Sequence, residues 1–233
     1  MTLQVRSRET LGGGDYGWLK ARHHFAIDEH GNPQHTRLGG LVIFNDDEIA
    51  PHSGFPMHAH RDMEIVTYVR EGVLRHQDNS GGRGEILAGS VQAFSAGRGI
   101  RHSEYNDADA PLRLFQIWVL PRRRGIEPRW ATRAFPEADR AGRLTPLASG
   151  FPDDLGALPI DANARVLGAI VQAGEHITYP LAAMRHGYLV PARGSVSVNG
   201  QPIRERDGIA ITGEPAIEIT ALEGAEIILV EAA

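Results

Sequence analysis

Two histidines stand two residues apart in FPMHAHRDMEIVTYVREG, residues 55–72: His58 and His60. A second pair of the same spacing, His102 and Glu104, lies in SAGRGIRHSEYN, residues 95–106. On an extended strand, residues i and i+2 point to one face. Each pair therefore projects together if its segment is extended, with Met57, Ala59 and Arg61 turned away. One such pair alone is an ordinary feature of a strand surface. Two pairs, each on its own strand, change the chemistry on offer. Strands on facing walls of a small barrel could bring three imidazole nitrogens and one carboxylate oxygen to a point. That donor set suits a divalent first-row ion: Fe, Mn, Co, Ni, Cu or Zn. It leaves one or two coordination positions for water, substrate or dioxygen, as a catalytic site does.

The elements that must position these residues are strands. Short β-rich runs punctuated by glycine dominate the chain, and helical periodicity is scarce. The first half carries LVIF (41–44), EIVTYV (64–69), VLRHQ (73–77), VQAFS (91–95), IRHSEY (100–105) and RLFQIWVL (113–120). The second carries RVLGAIVQ (165–172), GYLVPA (187–192), SVSVNGQPI (195–203), GIAIT (208–212), AIEIT (216–220) and EIILVE (226–231). Asn199-Gly200 marks a hairpin, because both residues tolerate positive φ. Many short strands at regular spacing predict sandwiches or barrels. The halves also align weakly when Gly72 is set on Gly194, so two barrels of related design are expected.

Composition bounds the rest. The 233 residues are ample for two compact domains. With 24 Lys+Arg against 29 Asp+Glu, the net charge of -5 argues against direct nucleic-acid binding. Lys20 is the only lysine, a compositional bias without mechanistic content. There is no cysteine, which excludes disulfides, thiolate nucleophiles and sulfur-ligated metals. No apolar run is long enough to span a membrane, and the opening residues lack a signal-peptide core. A soluble cytoplasmic protein is the expectation.

The HxH pair followed by Glu64 and Gly72 resembles the first cupin motif, and Gly89, Gly97, His102 and Asn106 resemble the second. The fuller wording, FNDDEIAPHSGFPMHAHRDMEIVTYVREGVLRHQD with AGRGIRHSEYN, resembles the pirin family of bicupins, nearest to its bacterial quercetin 2,3-dioxygenase-type members. The resemblance is strong over about the first 135 residues and continues afterwards in length and strand pattern only. It implies an all-β bicupin, two cupin barrels in tandem. An N-terminal barrel with a metal site would cover residues 1–130, a connector 131–156, and a metal-free C-terminal barrel 157–233. It implies His58, His60, His102 and Glu104 as metal ligands, with Fe(II) the first choice of ion and Cu, Mn, Ni, Co or Zn as alternatives. Glu64 is a ligand in many other cupins but not in pirins, so a supporting role is expected of it. Gly54 stands closer to His58 than the general motif has it, and Ser95 replaces a usual proline. Pirin-like proteins depart in the same way.

The resemblance also implies an activity. A flavonol would bind through its adjacent hydroxyl and carbonyl oxygens, Glu104 would take the hydroxyl proton, and dioxygen would cleave the ring with release of carbon monoxide. The rival reading is a non-enzymatic, iron-binding regulator or redox sensor that engages a protein partner. A third keeps the site and changes the reaction to isomerisation or hydrolysis. In the second half, Pro180 and Ala182 fall where His58 and His60 stand, and no histidine follows His186. His23, His24, His30, His35, His52, His76, His176 and His186 are expected to be surface or hydrogen-bonded residues. Arg122-Arg123-Arg124 reads as a solvated turn.

Overall fold

A computed structural model describes residues 2–27 and 31–233. His30 lies outside the described residues. The strands run β1 (Thr2–Arg6), β2 (Gly12–Asp15), β3 (Leu19–His23), β4 (Leu41–Ile49), β5 (Ser53–His60), β6 (Glu64–Glu71), β7 (Val73–Asp78), β8 (Arg83–Leu87), β9 (Ser90–Ser95), β10 (Ile100–Asn106), β11 (Leu112–Val119) and β12 (Arg129–Ala134). They continue as β13 (Thr145–Ser149), β14 (Leu158–Pro159), β15 (Ala164–Val171), β16 (His176–Pro180), β17 (His186–Arg193), β18 (Val196–Val198), β19 (Gln201–Ile203), β20 (Gly208–Thr212), β21 (Ala216–Ala221) and β22 (Ala225–Ala232).

One frame is used twice. A seven-stranded sheet ordered β12-β9-β6-β11-β4-β3-β2 goes with a four-stranded sheet ordered β5-β10-β7-β8. The second pair of sheets reads β1-β20-β17-β22-β15-β13-β14 and β16-β21-β18-β19. The two lists match position for position. The tandem all-β bicupin architecture is thereby confirmed. Gly72 and Gly194 occupy the same turn in the two frames, with φ of +84° and +72°. A Cβ on Gly194 would lie 2.3 Å from the carbonyl oxygen of Gly224, so glycine is required there sterically as well.

The strand sequences match their surroundings. EIVTYV in β6 is buried on both faces, one toward the barrel interior and one toward the other barrel. β10 alternates instead: Ile100, His102, Glu104 and Asn106 are buried, and Arg101 and Tyr105 are exposed. Asn199-Gly200 turns β18 into β19 with φ of 46° and 82°, as its chemistry predicts.

The large sheets pack against each other by their outer faces. Phe44, Val66, Tyr68, Phe115 and Ile117 form one core cluster with Tyr188, Val190, Ile228 and Val230. Polar ties flank this apolar layer. Asp46, 4% exposed, receives Arg70 of its own sheet together with Arg8 and Arg206. Arg140, buried, pairs with Glu226, which also accepts from the Tyr68 hydroxyl. The C-terminal barrel interior is a single apolar cluster. The N-terminal interior is divided into two clusters, and the candidate site lies between them.

Two expectations need correction. Residues 131–156 carry much of β12 and all of β13, so a good part of the segment is paired strand rather than a connector with little strand. Also, β1 does not join the sheet of the first 130 residues. It pairs with β20 along Thr2↔Thr212 to Arg6↔Gly208, filling in the second sheet the edge that β12 fills in the first. Edge strands such as these and β2 (GGGD) carry weak side-chain patterns, because their pairing is set by backbone groups of the neighbouring strand.

Candidate metal centre

β5 and β10 are hydrogen-bonded neighbours, not facing walls. His58 sits directly opposite His102, and His60 opposite Ile100. Cross-strand neighbours are close enough for imidazoles to meet. The ring centroids stand 4.4 Å apart for His58–His102, 4.7 Å for His58–His60 and 4.9 Å for His60–His102. Beyond His102 the register slips, so that Glu104 faces Phe55. The slip brings the strands so close at Gly54 that a Cβ there would lie 2.2 Å from the Glu104 carbonyl oxygen.

The three rings have the state that a divalent ion needs. His58 Nδ1 lies 2.8 Å from the Pro56 carbonyl, which can only accept, so Nδ1 carries the proton and Nε2 offers its lone pair. Burial, reinforced by His58, lowers the His60 pKa to about 4. Burial, then the neighbouring His58, His60 and His76, lowers that of His102 to about 2. Both are neutral imidazoles at physiological pH. His102 is 1% exposed and neither ring nitrogen has a hydrogen-bond partner. A buried imidazole with two unused nitrogens fits a metal ligand.

Glu104 is held differently. Its two carboxylate oxygens accept from Gln92 Nε2 and Gln116 Nε2, each at 2.8 Å. The amides cannot turn round. Gln92 Oε1 accepts from Trp130 Nε1 at 2.7 Å, and Gln116 Oε1 from Trp118 Nε1 at 3.0 Å. An indole only donates, so each glutamine oxygen must face its tryptophan and each NH2 must face Glu104. Burial raises the Glu104 pKa, and the Gln92 hydrogen bond opposes that rise. The net direction is upward, so this carboxylate is more basic than an exposed one.

The four expected ligands fall into overlapping groups rather than one. The donor atoms of His58, His60 and His102 lie within 4.8 Å of one another, and so do those of His76, His102 and Glu104. His102 belongs to both. His76, expected to be a surface or hydrogen-bonded residue, is hydrogen-bonded, and it stands beside the cluster. It is fully buried, opposite Glu104 in the β7–β10 ladder and stacked on Trp130 at 4.8 Å and 11°. Asp78 Oδ2 lies 3.1 Å from its Nε2, so the carboxylate orients the ring. Gln92, Gln116 and Asp78 escaped the sequence reading, as did the place of His76 beside the cluster. The glutamines leave only a weak signal, a polar side chain within an otherwise apolar strand (VQAFS, LFQIWV), which marks the residue but not its role.

The other residues are accounted for. Glu64 lies beside the interdomain seam, accepting from Ser95 Oγ at 2.7 Å and from the backbone N–H of Asp161 at 3.1 Å. Ser95, the departure from proline, thus has a partner. His24 is buried against Tyr188, and His52 and His176 pair at the surface with Asp109 and Glu218. Arg123 pairs with Asp161, and Arg122 donates to the Gly150 carbonyl.

The equivalent place in the second barrel is apolar. Val198 follows Gly194 at the distance that His76 follows Gly72, and it pairs with Ile219, so Ile219 takes the place of Glu104. Ile217 then takes that of His102, and Tyr179, its partner, that of His58. The gap-free alignment that gave Pro180 and Ala182 is therefore off by one residue. Ile217 and Ile219 are fully buried in the C-terminal core.

A cleft of about 650 Å³ opens onto the histidines. Its apolar walls include Leu19, Ala21, Ile43, Phe55, Met63 and Trp118, and its polar positions include Asn45, Asp47, His58, His60, Glu104 and Gln116. Volume and lining suit a compact aromatic molecule.

Fold and site together define a bicupin whose first barrel carries a histidine-rich cluster that could hold a metal ion. Comparisons with known proteins make the class specific. The pirin family model matches residues 4–119, and the model of the quercetinase C-terminal cupin domain matches 147–232. A pirin-like protein of Caulobacter vibrioides is 54% identical, covering 97% of both chains. The quercetin 2,3-dioxygenase of Escherichia coli K12 is 35% identical, again over 97% of both. The crystal structure of the bacterial pirin YhhW of Escherichia coli in complex with nickel(II) superposes with a TM-score of 0.92 at 34% identity, covering 99% of each chain. The chain belongs to the pirin family.

Proposed function

We propose that the protein is a metal-dependent dioxygenase that cleaves flavonols such as quercetin. One observation carries the reading most: an apolar cleft sized for a fused aromatic ends at three clustered imidazoles and a buried, basic carboxylate. His58, His60 and His102 would hold the ion, with Glu104 beside His102 as fourth ligand. Fe(II) suits this N/O donor set, as do the neighbouring first-row ions. When bound, the metal supplies Lewis-acid chemistry toward the hydroxyl and carbonyl oxygens of the substrate and a meeting place for dioxygen.

The protein's own part is positioning and proton transfer. Ile43, Phe55, Met63 and Trp118 exclude water and align the ring system. Glu104 takes the proton of the 3-hydroxyl. It suits the task because burial raises its basicity while two fixed amide donors hold its oxygens in place. Gln92 and Gln116 hold the carboxylate through this step, each backed by a tryptophan. The deprotonated flavonol is then oxidised: both atoms of dioxygen end in the depside, and one ring carbon leaves as carbon monoxide.

The reading is tested by elemental analysis of the purified protein, then quercetin addition first without and then with air. An absorbance shift under nitrogen and oxygen-dependent bleaching with carbon monoxide release are expected. Glu104→Gln should keep metal and lose turnover, and full activity in that variant would remove the base. His102→Ala should lose the ion, and unchanged metal content would sink the ligand assignment.

A further inference from the structure

The cleft contains more polar capacity than proton transfer uses. On β4, Asn45 and Asp47 occupy alternate positions, so both face the cleft with His58, His60 and Glu104. Among the described residues, the Oδ1 atom of each is buried and has no hydrogen-bond partner. Asp47 is only 2% exposed. Its neighbour on the opposite face, Asp46, is satisfied by three arginines, whereas Asp47 has no ion pair among the described residues. Gln116, beside Asn45 in the ladder, is already spent on Trp118 and Glu104. These are the groups of the cleft that stay available to a ligand.

The second barrel provides an internal control. A cleft of about 670 Å³ lies in the corresponding place, lined by Phe151, Asp154, Arg165, Tyr179, Arg185 and Glu231 among others. There the polar groups are partnered: Arg165 with Asp154 and Glu231, Arg185 with Glu231, and Tyr179 with Glu231. The frame is the same, yet unmet acceptors are kept in the cleft that adjoins the histidines. Leaving buried polar atoms unpaired costs stability, so a ligand that pairs them gains what the empty fold forgoes.

We propose that Asn45 and Asp47 form a subsite that reads phenolic hydroxyl groups, selecting polyhydroxylated flavonols over those bearing only the 3-hydroxyl. This rests on the flavonol reading above and specifies which members of that class bind. Burial, then Asp46 and Glu104, raises the Asp47 pKa to about 8, so near neutral pH it can both donate to and accept from a phenol. Asn45 has the same dual capacity in its amide. An analogue lacking the hydroxyls leaves both groups unpaired in a closed cleft, the situation in which hydrogen-bonding sites discriminate best.

The test is anaerobic titration of the metal-loaded protein with quercetin and with 3-hydroxyflavone, which keeps the chelating hydroxyl–carbonyl pair and lacks every other hydroxyl. The wild type should bind quercetin roughly tenfold or more the tighter. Asn45→Ala and Asp47→Ala should each lose most of that preference while 3-hydroxyflavone binding stays nearly constant. Asp47→Asn, which keeps shape and hydrogen bonding, should keep most of it. If Asp47→Ala does not fold, Asn45→Ala alone decides. Equal wild-type affinities, or equal losses for both flavonols in the variants, would overturn the subsite and leave the flavonol reading standing. Failure of either flavonol to perturb the wild-type spectrum would overturn both together.

Discussion

Glu104 shows how a buried carboxyl is held for use. One tied to arginine would lose its basicity. Here burial raises the pKa, and two amide donors locked by Trp118 and Trp130 fix both oxygens without a paired charge. Gln116→Leu should therefore lower quercetin turnover roughly 10–100-fold while metal content holds, read as kcat beside elemental analysis. The histidines carry a pH prediction. His60 and His102 have pKa values lowered to about 4 and about 2, whereas the unfolded chain takes up those protons near 6.5. Their contribution to stability is thus intact above about 6.5 and erodes as the pH falls below it. Protons also compete poorly for these nitrogens, so the ion should survive dialysis down to about pH 5. The two i, i+2 pairs were legible as candidates because identical spacing on two strands is rare by accident. The glutamines and His76 were not, since their importance lies in the tryptophan or aspartate behind each of them, and those contacts cross strands distant in sequence.

At the level of elements, the slip between β5 and β10 decides the geometry. It comes just after the His58–His102 pair and puts Glu104 out of step, opposite Phe55. Gly54→Ala should push the strands apart, because its Cβ would lie within 2.2 Å of the Glu104 carbonyl. A loss of about 1–3 kcal/mol is expected, read as a lower thermal midpoint, with metal affinity falling alongside. Strand existence was readable wherever β-branched residues are buried on one or both faces, as in β6, β11 and β22. The short edge strands were not readable, because backbone pairing holds them. The pairing of β5 with β10 was also beyond the pattern, since alternation shows which side chains share a face but not which strand lies alongside.

At the scale of the whole molecule, the barrels divide the labour. The second fills its interior with one apolar cluster, and the first splits its own to make room for polar side chains. The seam between their large sheets lets the well-packed barrel brace the other, and β1 adds to it. Arg6, at the end of that strand, is buried at 3% exposure, donates to the His24 carbonyl and lies over the rings of Phe25 and Tyr188. Deleting residues 2–7 should leave the β20 edge bare and lower the thermal midpoint, with aggregation visible by size-exclusion chromatography. A deletion that melts like the full chain would show that β1 is dispensable. That strand also has a consequence for folding. Its ladder, Thr2↔Thr212 to Arg6↔Gly208, joins segments very far apart along the chain. Pairings of such separation close slowly, and a strand that waits for its partner stays exposed meanwhile.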